Sequence, residues 1–269
     1  DRKVVGVARR WHPNGVLSEE DHFDDGELVE VRKWDENGNY IVEPPVTRGF
    51  DIPEDPKKID LRQRALLDWA RRTGEIPSPL HHIAAVALRY EDADTLAASA
   101  VIFDAASLTQ VESSATRHAL KDAHAETMNF EEVLAAIEAL RGLTIPAGLI
   151  VCPGNGPNHT TEFNFATHLG IVTGKPTFGV SDDPYLGTYT EPGQERGAWT
   201  DLVDDRDTIG RTLRTQTGEN PVFITYGQRL DLNEAADLTL RLTEQTRLPV
   251  ASTAAEAALN PAPDAASDA

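Results

Sequence analysis

The sequence predicts a mixed α/β sheet covered by helices, preceded by a small β-hairpin extension. Three observations carry this expectation. Strand-like apolar runs follow one another at 83–90, 96–103 and 108–114. From residue 130 onward helical and strand patterns alternate, as they do in a sheet packed on both faces by helices. The first 57 residues are polar and turn-rich and read as a separate piece.

In that piece Val29-Glu30-Val31-Arg32-Lys33-Trp34 alternates with period two. Asp35-Glu36-Asn37-Gly38 is a turn signal and Tyr40-Ile41-Val42-Glu43 resumes extended structure, so a β-hairpin is expected. Pro44, Pro45, Pro53 and Pro56 then break the chain into a linker. Leu61, Ala65, Leu66 and Trp69 share one face of a helix ending near Gly74. After the three strands, Val133, Leu134, Ile137 and Leu140 predict a helix over 130–140. Leu149-Ile150-Val151-Cys152 is a buried strand running into the loop Pro153-Gly154-Asn155-Gly156-Pro157-Asn158. A helix at 162–172, a strand at 176–180 and a hairpin pairing 209–215 with 222–225 follow. The last helix spans 231–246 with Asp231 as N-cap. Residues 251–269, rich in Ala, Pro, Ser and Asp, read as a disordered tail. The domain expectation is therefore 1–57 extension and linker, 58–250 main domain, 251–269 tail, with no internal repeat evident.

Composition narrows the function classes. With 269 residues, 40% hydrophobic and 26% charged, the chain can bury a full core. Apolar runs such as 145–152 are too short to span a bilayer, and no secretory signal is visible. One cysteine, Cys152, fits a reducing, cytoplasmic setting. The net charge of −19 and pI near 4.7 oppose a phosphate backbone, so nucleic acid is not the expected partner. The same acidity, with arginine outnumbering lysine, also fits a host-wide habit of a high-GC or halophilic bacterium.

Several stretches resemble one known family. Residues 149–156 followed by His159, Ala166, His168 and Gly170 resemble a strand, an Asp-Gly-His-Gly loop and a helix. Lys175-Pro176-Thr177-Phe178-Gly179-Val180 resembles the next strand, normally Pro-Thr-Ile-Gly-Val. Leu213-Arg214-Thr215, Asn220-Pro221-Val222-Phe223-Ile224 and Gly227-Gln228-Arg229 resemble a late hairpin and a Gly-His-Arg turn. In this order, from residue 58 to about 262, the chain resembles the endonuclease V family. The resemblance implies a ribonuclease H-like mixed sheet flanked by helices. It also implies carboxylates that hold a divalent metal and cleavage of a phosphodiester beside a deaminated base.

The departures fall at those carboxylates. Ala87 stands at the first-strand aspartate, Asn129 at the helix glutamate, Pro153 and Asn155 at the loop aspartate and histidine, and Gln228 at the histidine of Gly-His-Arg. The expected lysine is replaced within Ser181-Asp182-Asp183, and 119–128 holds no Pro-Tyr-Ile-Pro wedge. Neither a metal nor another cofactor is therefore expected. Gly154 and Gly156 permit close ligand approach, or simply keep a turn. His159 and Asp182 are candidate acid/base groups, or a capping histidine and an exposed turn. If the fold holds, Arg89, Asn129, Asn155 and Gln228 converge in the old metal site, suited to an anion or left by drift; Asn155 and Gln228 join the catalytic candidates, and Arg89, Asn129 and Arg229 the ligand-binding ones. Cys152 and His168 read as packing residues. Asp21–Asp25 and Asp35–Asn39 lack a calcium loop's spacing and read as solvated turns. The expected function is a repurposed enzyme acting on a nucleotide-like or small anionic substrate, in specialised metabolism. The alternative is a non-catalytic binding or assembly module. A nuclease using displaced carboxylates such as Glu126, Glu162 or Asp182 comes last.

Overall fold

The computed structural model describes residues 6–24, 27–34, 36–38, 40–41, 66–67, 69–74, 76–120, 128–154, 164–184 and 186–260. Two compact units form, Asp1–Phe50 with Val172–Gly174, and Asp51–Ile171 with Lys175–Ala269. The expected boundary at residue 57 falls outside the described residues.

The first unit is a four-stranded antiparallel sheet, β1 (Gly6–Trp11), β2 (Leu17–Asp24), β3 (Glu27–Trp34) and β4 (Tyr40–Ile41), in that spatial order. The expected hairpin is present, with Trp34 opposite Tyr40, and Gly38 takes the left-handed backbone its turn needs. Two strands precede it that the pattern did not reveal. Charge hid them. Glu19, Glu20 and Asp21 run consecutively, and the β1–β2 pair is laced by Arg9–Glu20 at 2.6 Å, Arg10–Asp21 at 3.0 Å and an Arg10–Glu19 contact.

The second unit holds a nine-stranded sheet. Its strands are β5 (His82–Tyr90), β6 (Thr95–Asp104), β7 (Gln110–Ala119), β8 (Leu149–Pro153), β9 (Thr177–Ser181), β10 (Thr188–Tyr189), β11 (Trp199–Asp204), β12 (Asp207–Leu213) and β13 (Val222–Gln228). The order is β10-β11-β12-β13-β9-β8-β5-β6-β7. β5, β8 and β9 run parallel, and every other neighbouring pair is antiparallel. Among the described residues four helices accompany it, α1 (Met128–Arg141), α2 (Phe165–Thr173), α3 (Leu232–Leu242) and α4 (Val250–Ala258).

Alternation along the strands sorts the two faces. Ile83, Ala85 and Ala87 of β5 join Ala97, Val101 and Phe103 of β6 in a core closed by Leu238 and Leu242 of α3 and by Ala251 and Ala255 of α4. The even-numbered residues of β5 face the opposite side, where α1 lies against β5, β6 and β7. Asp231 caps α3 as expected, accepting from the backbone of Asn233 and Glu234 while Glu234 reaches back.

Two expectations near the C-terminus are corrected. The last expected helix ends at Leu242 rather than 246, and 251–258, read as tail, belongs to α4. The reason is a stripe at i, i+4, i+8: Ala251, Ala255 and Leu259 are all buried, small enough to lie close on the sheet. Residues 261–269 of that expected tail lie outside the described set. So do 61–65 of the expected opening helix, of which residues 66–67 are helical.

Candidate active site

Parallel strands end together, and ligands of open α/β sheets gather at those carboxyl ends. Here Ala85 lies opposite Val151 and Pro153 opposite Val180, so the ends of β5, β8 and β9 stand side by side. α4 crosses the same face, and the Ser99 hydroxyl donates to the Ala255 carbonyl at 2.6 Å. Small side chains at Ala85, Ala87 and Ala97 make room for it.

Four charged groups meet at this edge. Arg89, near the end of β5, donates to the Leu259 carbonyl at 3.4 Å and faces Glu91 at 3.8 Å. Asp182, just past β9, lies 3.8 Å from Arg247. Glu256 on α4 has its carboxyl pushed up by desolvation; the charge of Arg89 opposes the shift and that of Asp182 adds to it. Arg247 and Glu256 were not candidates from sequence. The signal for Glu256 was the Ala251–Ala255–Leu259 stripe, which makes its segment a helix and turns residue 256 toward the strand ends.

The expected convergence is only partly realised. Gln228 sits at the other end of the sheet, opposite Thr177 at the start of β9. Its side-chain oxygen accepts from the Arg71 backbone at 2.7 Å and its amide donates to the Trp69 carbonyl at 3.0 Å. It is buried and clamps the 69–71 segment. Arg229 holds a left-handed backbone and donates its N–H to the Arg71 carbonyl at 2.5 Å. Across β9 these residues lie roughly 17 Å from Asp182, at about 3.3 Å per residue.

Gly154 is needed for a different reason from the one expected. A Cβ there would meet the Val180 carbonyl carbon at 2.7 Å, while its N–H donates to the Val180 oxygen at 3.0 Å. The close approach is by β9. Asn129 is the second residue of α1, and its side chain lies outside the described set, as do Asn155, Gly156, His159, Glu126 and Glu162. His168 is buried edge-on to Phe130, with ring centroids 4.8 Å apart, and Cys152 is buried with its thiol pushed far up by desolvation. Both fit packing roles.

The donor set does not suit the metal that the resemblance implies. Ala87 is sealed in the apolar core and Pro153 ends β8, and neither offers a ligand atom. Among the described residues no group of three or more His, Cys, Asp or Glu is placed to hold a metal ion. The described residues do not fit a divalent cation. Nor is any described helix long and apolar enough to cross a membrane.

The fold defines the class: a ribonuclease H-like protein, here with a charged edge at the ends of its central strands. A family model described as Endonuclease V matches residues 66–257, and the chain belongs to that family. It is 39% identical over 192 residues to an endonuclease V of Streptomyces avermitilis, covering 71% of this chain and 82% of that one. A crystal structure of an endonuclease V from Streptomyces avermitilis superposes with a TM-score of 0.69 at 33% identity, over 79% of this chain and 93% of that one. An endonuclease V of Ciona intestinalis, in complex with a 24mer DNA containing an inosine followed by a ribo-adenosine, shares the fold with a TM-score of 0.63 at 18% identity, covering 76% and 96%.

These comparisons overturn two expectations. Relatives across the matched region are named as nucleases, which counts against both the repurposed small-molecule enzyme and the non-catalytic module. A structural neighbour holds DNA, which counts against reading nucleic acid as an improbable partner. The physical reason is that net charge sums the whole chain, whereas a bound strand meets only the charges near it.

Proposed function

We propose that this chain is an endonuclease V-type nuclease that cuts a nucleic-acid strand at a deaminated base. The family match over 66–257 carries this reading. The charged edge supports it. Arg89 and Arg247 bring positive charge to a phosphodiester that no carboxylate could bind by itself. Glu256, with its raised carboxyl, takes the proton from water as the water oxygen joins phosphorus, and the departing sugar oxygen on the opposite side takes a proton from solvent as that P–O bond breaks. Asp182 holds Arg247 and keeps Glu256 a stronger base. A reducing compartment suits the single buried thiol of Cys152.

The test is cleavage of a labelled strand carrying one inosine against the same strand without it, as DNA and as RNA, in magnesium and in manganese. Cutting of the inosine strand is expected. Removing the acid/base group with Glu256→Gln lowers kcat by about 100-fold or more. Equal rates on both strands, or no cutting by the full chain, would overturn the reading.

A further inference from the structure

On the face away from α4, three strands present one row. Tyr90 of β5 lies opposite Leu96 of β6, and Leu96 opposite His118 of β7. The first turn of α1 lies over this row and carries two consecutive buried glutamates. Glu131 meets His118 Nε2 at 2.7 Å, and Glu132 accepts from the Tyr90 hydroxyl at 2.8 Å. Glu138, two turns on, meets His118 Nδ1 at 3.1 Å. The buried Leu96 between the two polar partners has no contact to offer a carboxylate. The helix is therefore hooked to the sheet on both sides of an apolar centre. Neither hook belongs to the charged edge described above. Yet Tyr90 is the residue after Arg89, and the same turn of α1 carries Asn129.

We propose that Glu132 is a positioning residue for the cleavage reaction: through Tyr90 it fixes the end of β5, and with it Arg89, against the first turn of α1. This rests on the nuclease reading for its consequence but not for its geometry. Desolvation in this buried turn pushes the Glu132 carboxyl up to about 7, with the Tyr90 bond opposing. Among the described residues, Tyr90 faces it from β5, Glu131 and Glu138 share its helix, and His118 reaches in from β7 through Glu131. On β6 the residues of this face, Leu96, Ala98, Ala100 and Ile102, carry no charge. His168 of α2 meets the same turn through Phe130. Glu91 and Arg117 pair with each other at 2.9 Å on the exposed side. Ionising Glu132 therefore leaves a charge in a dry site that the Tyr90 bond offsets only in part, so opening of this turn to water is favoured as pH rises.

The experiment uses the full chain as wild type, Glu132→Gln and Tyr90→Phe. Amide-exchange protection, corrected for intrinsic rates, is followed at residues 87–90 and 128–134 between pH 6 and pH 8, together with kcat and KM on the inosine strand. In the wild type, protection and kcat are expected to fall together by about tenfold, as one unit beyond a midpoint implies, with KM nearly constant. Glu132→Gln keeps the shape and the acceptor for Tyr90 but cannot ionise, so both quantities stay flat. Tyr90→Phe removes the bond that favours the ionised form, so the midpoint moves to higher pH. A wild-type pH dependence retained in Glu132→Gln overturns the proposal, and so does a change in protection with no change in kcat. A wild type that cuts nothing at any pH overturns the nuclease reading instead. The exchange comparison still decides the hook, and identical protection in wild type and Glu132→Gln sinks it.

Discussion

A methyl group at Gly227 would sit 2.0 Å from the carbonyl oxygen of Thr177, a backbone atom that cannot step aside. Gly227→Ala is therefore expected to cost about 3 kcal/mol or more, read as a drop in the urea midpoint, because the β9–β13 contact must open. Its neighbour Gln228 shows the limit of residue type as evidence. A glutamine where a relative has histidine looks like site chemistry, yet both ends of its amide are taken by the backbone of 69–71. Sequence spacing cannot tell the two ends of one strand apart until its partners are known. Arg89 was legible because its strand was, and Asp182 because it follows the end of β9. Glu132 carries a prediction of its own. Its folded value near 7 lies above its ordinary 4.5, so the folded chain holds that proton more tightly. Its contribution to stability is fully present below about pH 4.5 and is lost as pH rises through 7, on the order of 3 kcal/mol. Urea denaturation at pH 5 and pH 8 reads this loss; a Glu132→Gln chain whose stability falls as much as the wild type would refute it.

At the scale of elements, the central strands and α1 were legible because burial on both faces writes continuous apolar runs, and α3 because its cap and its apolar stripe agree. Asp231→Ala removes two hydrogen bonds to the start of α3 and is expected to cost about 1 kcal/mol in thermal unfolding. β10 and β11 went unread because one is two residues long and the other begins with an exposed tryptophan. α4 went unread because its buried face is alanine, which composition cannot separate from a disordered tail. That face is what lets the helix approach Ala85 and Ala87 and bring Glu256 to the strand ends. Ala255→Leu should overpack it, costing about 1–3 kcal/mol. Because the helix must ride up from the sheet, cleavage should fall more than stability at 25 °C accounts for, with kcat reduced while the chain remains folded by circular dichroism. Unchanged kcat in a folded Ala255→Leu chain would show that the placement of α4 does not matter to the reaction.

The whole molecule carries a net charge of −19, and a nuclease must still hold a polyanion. The order of elements was legible in the sequence and the partner was not, because order is written locally and attraction depends on where charges end up. Two forces act with opposite dependence on salt. Distant carboxylates repel the strand, and this repulsion is screened beyond a Debye length of about 8–10 Å in ordinary buffers. Arginines at the site release counterions on binding, and that gain weakens as salt rises. With Arg89 and Arg247 as the two phosphate contacts, the log–log slope for a single strand is expected near −1.4, at about −0.7 per contact. A rise from 50 to 200 mM salt then weakens binding by only about sevenfold, where a protein with a broad basic face loses about a thousandfold or more. Arg89→Ala and Arg247→Ala should each flatten the slope by about half of its value. Fluorescence anisotropy with an inosine-containing strand across that salt range gives the slope directly. A value steeper than about −4 would assign the grip to cations away from this edge and take Arg89 and Arg247 out of the binding site.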